Sequence, residues 1–417
     1  MAATAWVAAA AAATEKEEER IMKKSDITPV QPAVGVLLAS LVLPGLAALA
    51  ALTPLRAAAE NAPEKTTIAV KYGTYSDSQP GWDRVKVEAA QLYVQAPIAG
   101  EWSIEGSWVG DSVSGASPRW HTQHTQISGA SQMSDYRSAG DLKITRYLAR
   151  AAVSASVAYS DEHDYTSSAL GLDARWSTDD NNRTWTLGYG TSSDRIDNTH
   201  SGGNVVNKRK RTHEFMGGVT QVLTPADIAQ FNLTRSIGEG YYNDPYKTLD
   251  QRPNQRDAWI ALARWNHYVS QFDASVRSSY RYYSDTFGVQ SHTAGVEWVQ
   301  PSGRWTFTPG VRYYTQSAAN FYLDPILDAQ GQYDQMAVFA RAFSLLGKDQ
   351  STDQRLAAFG AVTLSMKVSY AFTPDTVADV KFETYRQAAG LHLGSAGSPG
   401  LDTFNAQFVQ VGVTHRF

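Results

Sequence analysis

From residue 66 onward, apolar and polar side chains alternate one for one over many short stretches, and a 3.6-residue repeat is weak throughout. Successive side chains of a strand point to opposite faces, so this period predicts strands with one apolar and one polar side. The last fourteen residues carry the pattern most clearly. Val409, Val411, Val413 and Phe417 fall on one side, interrupted by His415, while Gln410, Gly412, Thr414 and Arg416 fall on the other. Trp305, Phe307, Pro309, Val311 and Tyr313 likewise oppose Thr306, Thr308, Gly310 and Arg312. Trp185, Leu187 and Tyr189 form a third apolar row, and Ala378, Val380 and Phe382 a fourth, opposite Asp379, Lys381 and Glu383. In 272–282 the apolar set is Phe272, Ala274, Val276, Ser278, Tyr280 and Tyr282, against Asp273, Ser275, Arg277, Ser279 and Arg281. Residues 83–96 lose phase at Ala89-Ala90, which predicts a bulge there.

About sixteen strands follow, at 66–75, 83–96, 101–113, 139–147, 151–160, 167–178, 183–192, 211–223, 226–237, 257–269, 271–284, 289–300, 304–315, 354–370, 376–387 and 404–417. Their connections alternate in kind. Short turns such as 97–100, 224–225 and 301–303 alternate with a second series that includes the long segments 114–138, 193–210, 238–256, 316–353 and 388–403. Half-polar strands satisfy every backbone group in hydrocarbon only when the sheet closes on itself. The expected fold is therefore all-β: a single transmembrane antiparallel up-and-down β-barrel of about sixteen strands, with short periplasmic turns and long extracellular loops. An even strand number puts both termini on the short-turn side. Trp102, Trp185, Trp298 and Trp305 lie near those turns, where an aromatic girdle belongs.

The N-terminal residues fall outside this pattern. Residues 1–21 read as an extension ahead of the true start. Residues 22–59 read as an export signal, with Lys23-Lys24, an apolar run over 34–52 and Ala57-Ala58-Ala59 before Glu60. That leaves 60–417 as the barrel. The chain has 417 residues, no cysteine and a formal net charge of −4. Thiolate chemistry and disulfides are excluded, and there is no basic field for nucleic acid.

Several motifs then stand in a familiar order. Asp111-Ser112-Val113-Ser114-Gly115-Ala116-Ser117-Pro118 and Ser128-Gly129-Ala130-Ser131 precede Asp141-Leu142-Lys143-Ile144-Thr145-Arg146-Tyr147. Glu162-His163-Asp164-Tyr165, Leu170-Gly171-Leu172-Asp173 and Val222-Leu223-Thr224-Pro225 come next. Asp244-Pro245-Tyr246-Lys247-Thr248-Leu249-Asp250, Tyr280-Arg281-Tyr282-Tyr283 and the stretch from Ser395 to Gly400 complete the set. Together these resemble a family of Gram-negative outer-membrane β-barrels classed as a domain of unknown function, over about Thr66 to Phe417. The resemblance implies a barrel in the outer membrane and carries no activity with it.

Candidate chemistry lies chiefly on the polar faces. Asp273, Arg277, Arg281, Arg312, Asp379, Lys381 and Glu383 are expected to line the lumen, where they select ions, bind solutes or stiffen the wall as salt bridges. Asp111, Ser114, Gly115 and Ser117 form a loop motif that either folds inward or serves as turn chemistry. His121 and His124 lack a visible third ligand for a metal, and Asp161, Glu162, His163 and Asp164 read as a solvated acidic tip or a divalent-cation site. No spacing marks a catalytic set, a resident metal or a cofactor. The expected function is a channel or solute-uptake pore with a charged lumen. The alternative is a plugged barrel that serves envelope protein partners as a binding or assembly platform. The expected partners are outer-membrane lipid and the barrel-assembly machinery, which would engage the C-terminal strand.

Overall fold

A computed structural model describes residues 61–115, 133–199, 203–245, 247, 250–330 and 334–417. The expected extension and export signal lie outside them. The first eight strands are β1 (Thr67–Gln79), β2 (Trp82–Ile98), β3 (Trp102–Gly115), β4 (Met133–Leu148), β5 (Ala151–Asp161), β6 (Tyr165–Ser177), β7 (Arg183–Ile196) and β8 (Lys208–Thr224). The second eight are β9 (Asp227–Gly240), β10 (Gln255–Val269), β11 (Ala274–Asp285), β12 (Gln290–Ser302), β13 (Trp305–Gln316), β14 (Phe359–Thr373), β15 (Thr376–Ala388) and β16 (Phe404–Arg416). Each pairs antiparallel with its chain neighbours, and β1 pairs with β16 from Thr67↔Arg416 to Ser78↔Asn405, so the sheet closes. Closure removes both edges, the condition for crossing a bilayer with strands.

The faces are inverted relative to a water-soluble sandwich. Outward Leu172, Leu187, Leu364 and Val411 are exposed, whereas Gln410 and Thr67 on the inner face are 0% exposed. All sixteen strands expose large aliphatic or aromatic side chains, far beyond the apolar patches of soluble monomers, and this matches a lipid-facing surface. Trp102, Trp185 and Trp305 are exposed near the short turns. Trp298 is half-buried there, its ring 5.8 Å from that of Phe272. Seven connections of two to five residues lie at the end that holds Thr67 and Arg416. The opposite end carries the long segments, with 317–358 the longest. This is a closed transmembrane β-barrel of the outer-membrane type.

Three local features differ from the pattern reading. The bulge lies at Arg84, because Asp77 pairs with Val85 and Ser78 with Asp83. Ala89 and Ala90 keep phase; two small residues simply show little contrast between faces. Helix α1 (Gln335–Ser344) stands inside the 317–358 segment, its Ala337 N–H capped by Asp334 Oδ1 at 2.9 Å. Finally, Gln354–Leu356 forms a 3-10 turn. β14 begins only at Phe359, because Asp353 and Arg355 are drawn into the barrel mouth.

Candidate functional site: the inner wall and its outer closure

Two arcs of the inner wall differ in charge. On β3–β8 the inward acids Glu105, Asp111, Asp141, Asp173, Asp194 and Glu214 accompany Arg137, Lys143, Arg175 and Lys210. Most are paired locally: Asp111 with Arg137 at 2.8 Å, Glu105 with Lys143 at 3.6 Å and Asp194 with Lys210 at 2.9 Å. On β9–β14 the inward positions carry Arg256, Arg264, Arg277, Arg281, Arg312 and Lys367, against Asp285 and Glu297. Between the arcs, Lys71, Asp379 and Lys381 are buried on the inner face, and Lys381 lies 2.9 Å from Glu383. The stem of Lys71 crosses Gly412, where an added Cβ would meet its Cγ at 3.0 Å.

The expected lumen residues thus divide. Arg277, Arg281, Arg312, Asp379, Lys381 and Glu383 occupy inward strand positions. Asp273 does not. It belongs to the exposed turn 270–273, adopts φ +49° and accepts a hydrogen bond from Tyr268 Oη at 2.7 Å. An aspartate tolerates that left-handed geometry, so the chain turns there before the strand begins at Ala274. Phe272 belongs to the same turn, and Ala274 is buried instead of lipid-exposed. Of the loop motif, Asp111 faces inward and Ser114 and Gly115 end β3; Ser117, His121 and His124 lie outside the described residues. In the acidic tip, Asp164 is buried and Glu162 stands 3.9 Å from Arg137, so part of it packs on the barrel rim.

The mouth holds a polar network built from two long connections. Arg252 Nη2 donates to Asp353 Oδ2 at 2.8 Å, and its Nε lies 2.8 Å from Asp250 Oδ2. Lys247 lies 3.0 Å from Asp353. Arg355 donates to Asp353 Oδ2 through Nε at 2.6 Å and to Asp244 Oδ2 through Nη2 at 2.6 Å. Gln354, next in chain, receives a hydrogen bond from Gln79 on β1 at 3.2 Å. Since β1 and β9 lie on opposite sides of the ring, residues 353–355 reach from one side of the mouth toward the other.

Burial alone would raise the carboxyl of Asp353, but Arg355, Lys247 and Arg252 together hold it well below the usual carboxylate range. Asp244 is pushed up by burial and then drawn below its ordinary value, chiefly by Arg355. For Asp250 desolvation wins over Arg252, and its carboxyl is raised.

An apolar core adjoins this network through Leu356, next in chain to Arg355. Phe287, Phe321, Tyr242, Leu356, Phe359 and Leu401 pack together, with Phe287 edge-on to Phe321 at 5.0 Å between ring centres. The sequence signal for the network was present in the Asp244–Asp250 motif, and no pattern reading assigned it a role. Its partners Asp353 and Arg355 lie over a hundred residues away and read as the start of a strand.

The fold is similar to a bacterial polysaccharide outer membrane secretin, at 9% identity and TM-score 0.47, covering 86% of this chain and 100% of that one. It is similar to the CymD monoaromatic hydrocarbon channel, at 12% identity and TM-score 0.39, covering 85% and 89%. OccK1 of Pseudomonas aeruginosa aligns at 9% identity and TM-score 0.41, covering 85% and 98%. No curated protein matches the chain. The model of one protein family spans residues 34–408, and by that match the chain belongs to the family described as protein of unknown function (DUF3570).

Proposed function

We propose that this barrel is a solute-conducting pore of the outer membrane whose external entrance is narrowed by the docked 317–358 segment. The observation that carries the reading is the combination of a sealed sixteen-strand cylinder with charged side chains on its inner face. A wall of that composition lowers the cost of moving polar solutes through hydrocarbon depth, which apolar packing would not do. Purified protein in planar bilayers is expected to conduct, and more strongly once the mouth network is broken. Silence at every voltage would remove this reading.

A second reading has a specific observation behind it. Met336, Phe343 and Leu346 form an exposed apolar stripe on and just beyond α1, with Met336 79% exposed. A capped barrel displaying such a stripe would serve envelope protein partners as a platform. Capture from intact membranes that loses its partner in Met336→Ser/Phe343→Ser supports it. Assembly machinery would recognise β16 together with the exposed Phe417 that follows it, whose N–H donates to Thr66 O at 2.9 Å. Phe417→Ala should then lower the yield of membrane-inserted barrel.

A further inference from the structure

We propose that the outward rim of β7 and β8 is a docking site for the phosphorylated headgroup of an outer-leaflet lipid, held by Arg195, Arg209 and Arg211. Along β7 the buried inner row ends in Asp194 and Ile196, so Arg195 faces outward with Trp185, Leu187 and Tyr189. On β8 Lys210 pairs inward with Asp194 and Met216 is buried, so Arg209, Arg211 and Phe215 share the outer face. The three arginines are exposed at the end of the long connections, which faces outside in barrels of this type.

Their register is unfavourable without a counter-ion. Arg195 lies directly opposite Arg209 in the β7–β8 ladder, and Arg211 follows two residues on, opposite Ser193. Directly opposed side chains have Cβ atoms about 4.5–5.5 Å apart, and like charges so placed repel. Arg209 and Arg211 are about 7 Å apart along the strand. Among the described residues, the guanidinium groups of Arg209 and Arg211 have no hydrogen bond or ion pair.

The nearby acids leave the cluster open. Asp197 is 3.6 Å from Arg195, but its carboxylate already accepts from Thr199 N and Oγ1 and from Asn207 N. Asp161 is two strands from Arg195, by way of Thr166, and accepts from Tyr159 and Thr166. Glu239 faces Arg211 across the β8–β9 ladder without coming within ion-pair distance. A phosphate seated between Arg195 and Arg209 relieves their repulsion and takes charge-assisted, bidentate bonds. Elsewhere on this outer end, Lys86 has Glu88 at 2.7 Å and Arg235 has Asp257 at 2.6 Å, while Arg386 on β15 has no second cation beside it.

Height on the wall favours a lipid over a dissolved anion. Below the arginines on the same face, Leu187 and Phe215 are exposed, and the Tyr189 ring lies 5.1 Å from that of Phe215. His213 Nδ1 and Tyr189 Oη share a hydrogen bond at 2.9 Å, an amphipathic pair suited to the interface. Phe215 is four residues from Arg211, about 13 Å along a strand tilted by about 40°, and so about 10 Å deeper. One lipid can therefore lay its acyl chains on Leu187 and Phe215 while its phosphate reaches the arginines.

Native mass spectrometry of the full-length barrel in detergent tests this, with bisphosphorylated lipid A, its dephosphorylated form and inorganic pyrophosphate as separate probes. The expected result is a saturable lipid adduct that weakens at least about tenfold when the phosphates are removed. Arg209→Gln/Arg211→Gln should weaken it at least about tenfold, and Arg386→Gln should leave it unchanged. Glu239→Gln should strengthen it, a gain that misfolding cannot produce. Equal binding of the two lipids overturns the assignment, as does an adduct unchanged in the double variant. Pyrophosphate that displaces the lipid at equal concentration would make this a soluble-anion site and overturn the lipid assignment as well. None of these outcomes depends on whether the barrel conducts.

Discussion

At the outer closure Lys247, Arg252 and Arg355 meet Asp244, Asp250 and Asp353 one for one, whereas the β9–β14 wall sets six inward cations against Asp285 and Glu297. The same residue types serve different ends in the two places. Matched pairs drawn from loops a hundred residues apart fix the position of a long segment that strand pairing alone leaves unplaced. On the paired strands the ladder already holds the backbone, so the inward cations there are not needed to place it.

Asp353→Asn should separate the two regions most widely. Its carboxylate receives Arg252 and Arg355 and lies beside Lys247, all buried. Removing it strands buried cations, at about 3–5 kcal/mol. The expected outcome is protease cleavage within 317–358 and a larger conductance, with the strands intact. Arg312→Gln should leave that protease resistance unchanged. A D353N barrel as resistant as the parent would mean the network does not hold the closure. Phe321→Ala follows, at about 3 kcal/mol, the low end for a buried phenylalanine, because its ring already lies at the edge of the mouth core. Its readout is the same cleavage, with no dependence on salt.

Acid should loosen the closure and spare the wall. Asp353 and Asp244 have folded-state pKa values below their unfolded ones. Their contribution is present above the ordinary carboxylate range near pH ~4 and is lost as pH falls through the lower folded values. Asp250, raised by burial, has the opposite sign: protonation relieves it as pH drops, and so offsets part of the loss. Protection of 317–358 from hydrogen exchange should therefore decline below pH ~4, in parallel with any rise in conductance. Protection that rises through that range would reverse the assigned signs.

The pattern of alternation made the strands legible because lipid contact leaves a residue-by-residue imprint: Val409, Val411 and Val413 are exposed and Gln410 and Thr414 buried, as period two requires. Arg281 and Lys381 were legible as inward for the same reason. What escaped was set by contacts distant in sequence. Arg355 continues an apparent strand into 354–370, and its ion pair with the distant Asp244 belongs to a mouth network that no local pattern reveals. The bulge at Arg84 aims that side chain at Asp77, 3.4 Å away, and over the Phe404 ring at 4.9 Å, partners on β1 and β16. Helix α1 is ten residues, too short for periodicity to outweigh its neighbours, although Asp334 ahead of Met336-Ala337-Val338 was a usable cap signal.

The smallest expected contrast comes from one substitution made in both regions. Gly400 adopts φ +72°, and a Cβ there would meet the Pro325 ring at 2.8 Å. Neither the backbone nor a proline ring gives way, so Gly400→Ala should cost about 1–3 kcal/mol and loosen the closure. At Gly412 the backbone is extended, and the Cβ would meet the flexible stem of Lys71 at 3.0 Å and Asp379 Oδ1 at 3.3 Å. Lys71 can shift by tenths of an ångström, and replacing a strand glycine recovers about 0.5–1 kcal/mol of chain entropy. Gly412→Ala should therefore melt within about 1 kcal/mol of the parent. If it proves as damaging as G400A, the inner wall is packed as rigidly as the mouth. A wall of that stiffness could not shift its lysines and arginines to receive a solute.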